Sequence, residues 1–394
     1  MLFFKDLDLK NKKVFLRVDF NVPLDESGEI SDDTRIKAVL PTINHLFDQE
    51  SQVVIGSHLG RPKGKKNSKL SLKPVAQRLS DLVPQKVTLA PDCIGKEVID
   101  LKQNQKKKEV ILLENLRFHP GEKQNDDSFA KELAQGIDYY VNDAFAACHR
   151  SHASIVAITQ FVTKAAAGFL LRQEMDYFTR ILEAPQRPYI AILGGAKVSD
   201  KIPVLANLIN KANAILMGGA MSYTFFEAMG FEVGHSLVEK EKKELSLQLL
   251  KKAEKKGVRI FLPSDHIIAK EMKPGIEHRN LTRFPVPEEY MALDIGPETI
   301  KKYSEFIGNA KTIFWNGPMG VFEIKDFSNG TVQIAKAVAS SESLSIVGGG
   351  DSVSAIKKMG VEKNISHIST GGGASLELIA NETLPGIQAL SERS

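Results

Sequence analysis

Short apolar runs alternate with segments of helical spacing along the whole chain. In the first half, apolar runs of strand length lie at Val14–Val18, Val53–Gly56, Val110–Leu113 and Tyr139–Val141. Between them, apolar residues recur at helical intervals in Lys37–Gln49, Lys73–Leu82 and Ser128–Gln135. Strands that alternate with helices in this way predict a doubly wound α/β fold built on a parallel sheet.

The second half repeats the pattern, but glycines follow its strands. The predicted strands are Tyr189–Leu193, Ala214–Met217, Thr312–Trp315, Leu344–Val347 and His367–Thr370. The predicted helices are Ile202–Lys211, the Glu/Lys-rich Val238–Lys256, Val353–Met359 and Ser375–Ala380. Between the halves, Gly168–Leu182 predicts a helix that ends before Pro185, and we interpret it as a connector and hinge.

Composition changes this picture little. A chain of 394 residues favours two domains, and a net charge of +4 favours neither nucleic acid nor a membrane as partner. The two cysteines, Cys93 and Cys148, have no metal-binding spacing and form no disulfide framework, which is typical of a reducing compartment. The N-terminus lacks a signal-peptide pattern, and Ile155–Leu171 is too polar for a membrane span, so we expect a cytoplasmic protein.

Basic side chains recur just after the strands of the first half. They are Arg17, Arg35, His58, Arg61, Arg117, His119, His149, Arg150 and His152. Each alone is typical of an ion pair or of the surface, but successive parallel strands would gather them at one sheet edge, which predicts a small polyanionic substrate. Arg17 lies inside an apolar run, so it either pairs with an acid such as Asp19 or faces a ligand.

Glycine-rich junctions in the second half predict phosphate sites. Gly348–Ser352 and Thr370–Ala374 each follow a strand and open a helix, where free N–H groups and the helix dipole favour anions. Asp351 is either a Mg²⁺ ligand or a helix cap. Gly218 and Gly219 either allow close packing or form a flat pocket for a base.

The stretch Gly194–Lys201 is a further phosphate-site candidate. We expect its two lysines, Lys197 and Lys201, to point the same way from the first turn of the following helix. The alternative is a tight turn followed by solvated lysines.

The motifs of both halves resemble those of the phosphoglycerate kinase family from end to end. The substrate-side motifs are Arg17–Pro23, Asp33–Ile36, Ser57–Pro62, Glu114–Phe118 and His149–His152. The nucleotide-side motifs are Gly194–Lys201, Leu293–Pro297, Asn316–Glu323, Gly348–Ser352 and Ser369–Ala374. The resemblance implies two doubly wound, Rossmann-like parallel-sheet domains facing each other across a cleft and joined by a hinge helix.

The resemblance also implies domain bounds and an activity. Residues 1–167 with the returning residues 382–394 would bind 3-phosphoglycerate, 168–184 would be the hinge helix, and 185–381 would bind the nucleotide. The reaction would be the reversible transfer of the acyl phosphate of 1,3-bisphosphoglycerate to Mg-ADP, giving 3-phosphoglycerate and Mg-ATP. Because the acceptor oxygen is already ionised, we expect hinge closure and charge neutralisation without a general base.

Residue roles follow from the same resemblance. The triose would be held by Asp19, Asn21, Arg35, His58, Arg61, Arg117 and Arg150. The nucleotide would be held by Lys201, Gly218, Gly219, Leu293, Asn316, Glu323, Gly349, Gly350, Asp351, Ser352 and Val353, with Glu323 at the ribose and Asp351 at magnesium. The phosphoryl group in flight would be surrounded by Lys197, Arg35, Gly371 and Gly372.

One departure and two alternatives accompany this interpretation. Phe145-Ala-Ala-Cys-His-Arg150 stands where the family usually has Phe-Gly-Thr-Ala-His-Arg, which puts the local loop geometry in doubt. The doubly wound halves also suit a dinucleotide-dependent dehydrogenase, although its glycine fingerprint is absent from the sequence. A non-catalytic anion-binding protein of the same fold is the other alternative. We expect a monomer that acts on small molecules and binds neither nucleic acid nor membrane.

Overall fold

The computed structural model describes residues 1–393, which form two compact units. Unit 1 comprises Met1–Asp176 and the C-terminal segment that begins at Thr383, and unit 2 comprises Tyr177–Glu382. The division lies inside one helix, Phe169–Glu183, within the residues 168–184 that the sequence analysis treats as a hinge. The hinge role of this helix stays a prediction.

Unit 1 is built on a six-stranded parallel sheet in the order β3-β4-β2-β1-β5-β6. Its strands are β1 (Lys13–Arg17), β2 (Gln52–Gly56), β3 (Val87–Leu89), β4 (Val110–Leu112), β5 (Tyr139–Asn142) and β6 (Lys164–Ala167). Its helices are α1 (Thr34–Asp48), α2 (Lys73–Leu82), α3 (Lys96–Asn104), α4 (Pro120–Gln124), α5 (Asp127–Ala134) and, in the C-terminal segment, α14 (Pro385–Glu392). Helix α6 (Phe169–Glu183) begins in this unit.

The apolar runs become strands because both faces of the sheet are covered. Val14, Leu16, Val53 and Ile55 alternate into a core that includes Ile36 and Ile43 of α1 and Val75 and Leu79 of α2. Parallel strands buried on both faces read as continuous apolar runs, which is why β1 and β2 were visible in the sequence. Helix α1 begins at Thr34, one turn before the predicted Lys37.

Unit 2 has a second six-stranded parallel sheet, in the order β15-β14-β13-β7-β8-β9. Its strands are β7 (Tyr189–Leu193), β8 (Ala214–Met217), β9 (Arg259–Phe261), β13 (Thr312–Asn316), β14 (Leu344–Gly348) and β15 (His367–Ile368). Its helices are α7 (Ile202–Lys211), α8 (Met221–Ala228), α9 (Lys243–Lys255), α10 (Pro297–Gly308), α11 (Asn329–Ser340), α12 (Gly350–Met359) and α13 (Gly372–Asn381). The two parallel six-stranded sheets confirm the predicted doubly wound α/β class.

A small antiparallel sheet in unit 2 was not predicted from the sequence. It consists of β10 (His266–Ala269), β11 (His278–Leu281) and β12 (Met291–Ile295), in the order β11-β10-β12. Three of the four residues of β11 are exposed, so no apolar run marks it. The Leu293–Pro297 motif begins within β12.

Short 3₁₀ helices complete the described chain, at Phe4–Asp6, Ser68–Leu70, Leu116–Phe118, Phe145–Ala147, Ala157–Phe161, Lys240–Lys242, Lys325–Phe327 and Glu362–Asn364. Of the predicted helical segment Val238–Lys256, only Lys243–Lys255 is α-helical. None of the helices described between residues 1 and 393 combines the length and the apolar character needed to cross a membrane.

Candidate functional site

Arg17, the last residue of β1, is held by buried partners. Its side chain is almost fully buried, and its Nε donates to Oγ of Ser154 at 2.8 Å. Nη2 lies 4.0 Å from Oε1 of Glu122, which is equally buried and accepts from the Ser154 amide and hydroxyl at 3.0 and 2.7 Å. Of the two alternatives left open by the sequence, the structure shows pairing with an acid, and that acid is Glu122 rather than Asp19.

The loop after β1 gathers several of the residues assigned to the triose. Arg35, in the first turn of α1, forms an ion pair with Oδ2 of Asp19. Nδ1 of His58 lies 3.8 Å from Oδ1 of the same carboxylate. The side-chain oxygen of Asn21 accepts from the amide of Gly60 at 2.8 Å, which fixes the loop after β2. Residues from three elements thus meet at the carboxyl edge of the sheet.

Arg61, Arg117 and Arg150 form no ion pair among the residues the structure describes. Arg117 is buried; its Nη1 donates to the carbonyl of Gly60 at 2.8 Å, while its buried Nε has no hydrogen-bond partner. Burial, and then the positive charges of Arg17 and Arg150, together lower the pKa of Arg117 from 12.5 to about 10, against the opposing effect of Glu122 and Asp19. This edge therefore holds more positive charge than its own acids neutralise, which favours an anion.

Two histidines at this edge are neutral at pH 7. Burial lowers the pKa of His58 well below its ordinary value, and the guanidinium of Arg17 adds to the effect. Burial and then Arg150 lower the pKa of His149 to about 4. The Nδ1 of His149 is buried without a hydrogen-bond partner, so the imidazole is available to a ligand as a neutral hydrogen-bonding group.

The loop that departs from the family pattern is closely packed. Phe145–Ala147 is a 3₁₀ turn in which Ala147 is buried. Cys148 is also buried, and burial raises the pKa of its thiol to about 12, so it is an inert side chain. Its carbonyl accepts from the amide of Gly386 at 2.9 Å, which ties the loop to the C-terminal segment of unit 1.

In unit 2, the glycines after β7, β8 and β13 pack backbone against backbone. A Cβ on Gly194 would overlap the carbonyl oxygen of Pro318, and one on Gly218 would lie 2.6 Å from Sδ of Met319. The amide of Gly219 donates to the carbonyl of Met319 at 2.7 Å. Close packing, one of the two alternatives for Gly218 and Gly219, is therefore present.

Lys197 and Lys201 do not lie in the first turn of the helix after β7, so the expectation that they point the same way from that turn was wrong. Helix α7 begins at Ile202, so both lysines lie before its first turn. Lys197 is exposed and Lys201 is buried. The loop is fixed instead by Ser199, whose amide and hydroxyl donate to Glu239 at 2.9 and 2.6 Å. Sequence reasoning missed Glu239 because it lies in an irregular segment far along the chain.

Lys201 points into the sheet edge. Its Nζ donates to Oδ1 of Asn316, the last residue of β13. Burial lowers the pKa of Lys201 from 10.5 to about 8, against the opposing effect of Asp200 and Asp351. The side-chain Nδ2 of Asn316 is buried without a partner, and a Cβ on Gly349 would lie 3.0 Å from it. A buried cation and an unpaired amide donor thus lie beside the start of α12.

Neither packing within the protein nor backbone conformation requires glycine at the first residue of α12 or of α13. A Cβ on Gly350 or on Gly372 would meet no atom within 4 Å, and neither residue has a positive φ. Because glycine in a helix costs backbone entropy, such a position favours a group that must approach the backbone from outside. The starts of both helices offer unpaired N–H groups to an anion.

Other assigned residues are placed at the same carboxyl edge or beside it. Ser352 is buried and its hydroxyl accepts from the amide of Gly317 at 2.6 Å. Asp351, in the first turn of α12, and Glu323, in the segment after β13, are both exposed. Leu293 of β12 is buried, and its carbonyl accepts from the amide of Val321 at 2.9 Å, so it supports the segment that carries Glu323.

The remaining nucleotide and phosphoryl assignments lie in the first turns of two helices. Val353 of α12 is half-buried, and its amide donates to the carbonyl of Gly349 at 3.0 Å. Gly371 precedes α13, and its amide donates to Oγ of Ser369 at 3.2 Å. Unit 2 therefore offers a buried lysine, glycine backbone and two exposed carboxylates, whereas unit 1 offers arginines and neutral histidines.

Comparison with known proteins agrees with this chemistry. A family model described as phosphoglycerate kinase matches residues 4–382. The chain is 53% identical over 385 residues to the phosphoglycerate kinase of Geotalea uraniireducens, covering 98% of this chain and 96% of the relative. It is 54% identical over 384 residues to that of Geobacter metallireducens, with the same coverage.

Solved structures give the same answer. The structure of phosphoglycerate kinase from Coxiella burnetii matches with a TM-score of 0.90 and 39% identity, covering 100% of this chain and 98% of that one. The enzyme from Pyrococcus horikoshii matches with a TM-score of 0.83 and 37% identity, covering 99% and 98%. The chain belongs to the phosphoglycerate kinase family.

Proposed function

We propose that unit 1 holds the triose and unit 2 holds the nucleotide while the chain performs the reaction of its family. That reaction is the reversible transfer of the acyl phosphate of 1,3-bisphosphoglycerate to ADP, giving 3-phosphoglycerate and ATP, and the chain is a transferase of this kind. Family membership decides against the dehydrogenase alternative. The main support for placing the two substrates on different units is the contrast between the arginine-rich sheet edge of unit 1 and the glycine-rich sheet edge of unit 2.

On the triose side, positive charge and neutral donors have different tasks. Arg61, Arg117 and Arg150 bind the phosphate and carboxylate oxygens of the substrate, since they have no acidic partner of their own. His58 donates or accepts as a neutral imidazole. Asp19 accepts hydrogen bonds, which suits the hydroxyl of the triose rather than its anionic groups. Asn21, whose oxygen already accepts from the amide of Gly60, donates from Nδ2.

On the nucleotide side, the phosphates lie against the start of α12. Lys201 neutralises a phosphate oxygen, and the amides of Gly349, Gly350, Asp351 and Ser352 donate to its neighbours. Val353, whose amide is bonded to Gly349, lines the site with its side chain. Gly218, Gly219 and Leu293 form the wall against the base, and Glu323 accepts from a ribose hydroxyl. Asn316, whose Nδ2 lacks a partner in the protein, donates to the ligand.

The residues present fit magnesium carried by the nucleotide. Asp351 is an exposed carboxylate beside the glycine backbone at the start of α12, and nucleotide-borne Mg²⁺ takes one or two protein carboxylates and keeps its other oxygen ligands. When bound, the ion neutralises phosphate charge. We assign Asp351 as its protein ligand.

The phosphoryl group is stabilised by charge and backbone donors alone. Lys197 and Arg35 neutralise its equatorial oxygens, and the amide of Gly372 donates to them, next to Gly371, whose own amide is bonded to Ser369. Both the attacking ADP oxygen and the leaving carboxylate are stable anions, so no proton has to move. The low pKa of His149, about 4, agrees with a reaction that uses no histidine base.

A coupled assay of ATP formation with Lys197→Ala tests the assignment and the catalytic role together. We expect kcat to fall on the order of 100-fold or more, the usual cost of losing one transition-state charge partner. The Kd for ADP should change little, because Lys201 and the helix starts remain. Lys255→Ala, which removes an exposed lysine from the last turn of α9, is the matched control. Equal losses in kcat and ADP affinity, or no loss at all, would contradict the role of Lys197.

Because the proposed ligands are divided between two units, the transfer requires the units to approach each other during turnover. Small-angle scattering should show a smaller radius of gyration only when both substrates are bound. A radius that stays the same with both ligands present would contradict closure. The proposed working form is a cytoplasmic monomer with small-molecule partners.

A further inference from the structure

Three potential metal ligands converge in unit 1, outside the residues assigned to the reaction. Asp92 and Cys93 follow β3, and His119 lies in the segment after β4. The carboxylate oxygen, the sulfur and the ring nitrogen all lie within 4.8 Å of one another. Nε2 of His119 is 2.5 Å from Oδ1 of Asp92. We propose that Asp92, Cys93 and His119 bind a zinc-type divalent cation, with water as the fourth ligand.

The donor set fits zinc better than magnesium. Zinc accepts sulfur, imidazole nitrogen and carboxylate oxygen in one tetrahedral shell, and three protein ligands leave one position for water. Magnesium prefers oxygen ligands and an octahedral shell. The site is therefore chemically distinct from the carboxylate of Asp351 that we assign to the nucleotide's magnesium.

Contacts within unit 1 hold the three side chains in place before any ion arrives. The ring of His119 stacks on Phe129 with 5.0 Å between ring centroids and 24° between planes. The amide of Cys93 donates to Oδ1 of Asp92 at 2.7 Å, and its sulfur lies 2.9 Å from the carbonyl oxygen of Glu114. Ligands that are already oriented lose little conformational freedom on binding.

Charge and access also suit a cation. The carboxylate of Asp92 accepts hydrogen bonds from His119 at 2.5 Å and from the amide of Cys93 at 2.7 Å. The side chains of Asp92 and His119 are 41% and 25% exposed, so an ion reaches them from solvent. Cys93 is fully buried behind them. Lys66, whose Nζ donates to the carbonyl of Pro91 at 3.1 Å, is a neighbouring positive charge that the carboxylate of Asp92 offsets. Burial and then Asp92 raise the pKa of the Cys93 thiol well above its ordinary value, so the metal has to displace the thiol proton.

Binding exchanges one proton for the metal. The S–H bond of Cys93 breaks, its proton goes to solvent, and a sulfur–metal bond replaces the hydrogen bond to Glu114. The proton by which Nε2 of His119 bonds to Asp92 moves through solvent to Nδ1, and Nε2 and the freed Asp92 carboxylate each supply a lone pair. No residue is oxidised or reduced. The cysteine spacing in the sequence gave no indication of this site, because its ligands are one cysteine, its neighbour and a distant histidine.

Cobalt(II) titration of the metal-free full chain tests the proposal. We expect one equivalent to bind with a thiolate-to-cobalt charge-transfer band in the near ultraviolet, which zinc abolishes and magnesium leaves unchanged. Cys93→Ser should lose the band, and His119→Gln and Asp92→Asn should weaken cobalt binding by at least about tenfold. Cys148→Ser is the matched control, since it removes the other buried thiol, which has no ligand partners of this kind.

The outcomes are decisive even if one variant folds poorly. If circular dichroism shows that Cys93→Ser is unfolded, the partly exposed His119→Gln decides the result. No band at excess cobalt, a band that persists in Cys93→Ser, or equal affinity in wild type and His119→Gln would each overturn the proposal. A band lost in Cys148→Ser but kept in Cys93→Ser would also overturn it.

Discussion

Replacing Gly372 by alanine separates the stability of unit 2 from its activity. Gly372 is the first residue of α13, its φ is not positive, and an added Cβ would meet no atom within 4 Å. Within the protein alone, alanine is therefore the better residue. Removing the conformational freedom of glycine from the unfolded chain should stabilise the fold by about 0.5–1 kcal/mol. For a unit of about 200 residues, this raises the melting temperature by roughly 1–4 °C.

Activity should move in the opposite direction. If the phosphoryl group approaches the backbone at the start of α13, a methyl group there displaces it from the amide donors. The loss of one such donor typically lowers kcat by about 100- to 1,000-fold. The measurements are differential scanning calorimetry and the coupled assay of ATP formation. Gly308→Ala is the control, because Gly308 ends α10 with equally open space around it and should gain stability without losing activity.

The result that would contradict this reasoning is specific. If Gly372→Ala gains stability and keeps its kcat, no substrate group approaches the backbone there. If instead it loses stability while Gly308→Ala gains it, the space around Gly372 is needed by the fold itself. Either result would remove Gly372 from the proposed site.

Three further predictions concern charge and packing. Nucleotide affinity should fall as pH rises above about 8, because Lys201 has a pKa of about 8 in the free protein and phosphate favours its ammonium form. Binding near this pH therefore takes up a proton. Calorimetry in buffers of different ionisation enthalpy detects this uptake. Glu122→Gln should lower the free energy of unfolding by about 3–5 kcal/mol in urea titrations, because it leaves the buried Arg17 without its acid. Gly194→Ala should destabilise unit 2 by about 1–3 kcal/mol, because its Cβ would overlap the carbonyl of Pro318.

Each of these predictions has a matched comparison. Lys201→Met should abolish the proton uptake on ADP binding, and uptake that persists would assign the proton to another group. Glu382→Gln breaks an ion pair with Lys211 at a carboxylate that is 57% exposed, so its effect should stay below about 1 kcal/mol. Equal losses in the buried and exposed glutamate variants would contradict the role of burial. For Gly194→Ala, wild-type stability would show that the loop adapts.

The sequence predicted the central strands of both parallel sheets well, because burial on both faces produces continuous apolar runs. The edge strands β3, β6 and β9 were not predicted. The bounds of β7 and α7 match the predicted Tyr189–Leu193 and Ile202–Lys211. In the small antiparallel sheet, the exposed residues of β11 carry no such run, whereas β10 and β12 are largely buried and were not recognised as strands. Local periodicity therefore predicts buried parallel strands better than it predicts exposed edge strands.

The sequence predicted which positions contribute residues to the candidate site, but it did not predict which side chains contact each other there. Glycines and arginines after successive strands identify the two edges, since the carboxyl ends of parallel strands lie together. The pairing of Arg17 with Glu122, and of Lys201 with Asn316, joins residues far apart in sequence. No local pattern encodes such pairs, because they depend on how the loops pack.

The division of ligands between the two units is tested most directly by isothermal titration of each ligand against two variants. Arg117→Met should weaken the binding of 3-phosphoglycerate by at least about 100-fold, the cost of a lost charge-assisted contact. It should leave ADP binding unchanged, because Arg117 lies in unit 1. Lys201→Met should do the reverse. If either variant weakens both ligands equally, or weakens only the ligand assigned to the other unit, the proposed division is wrong.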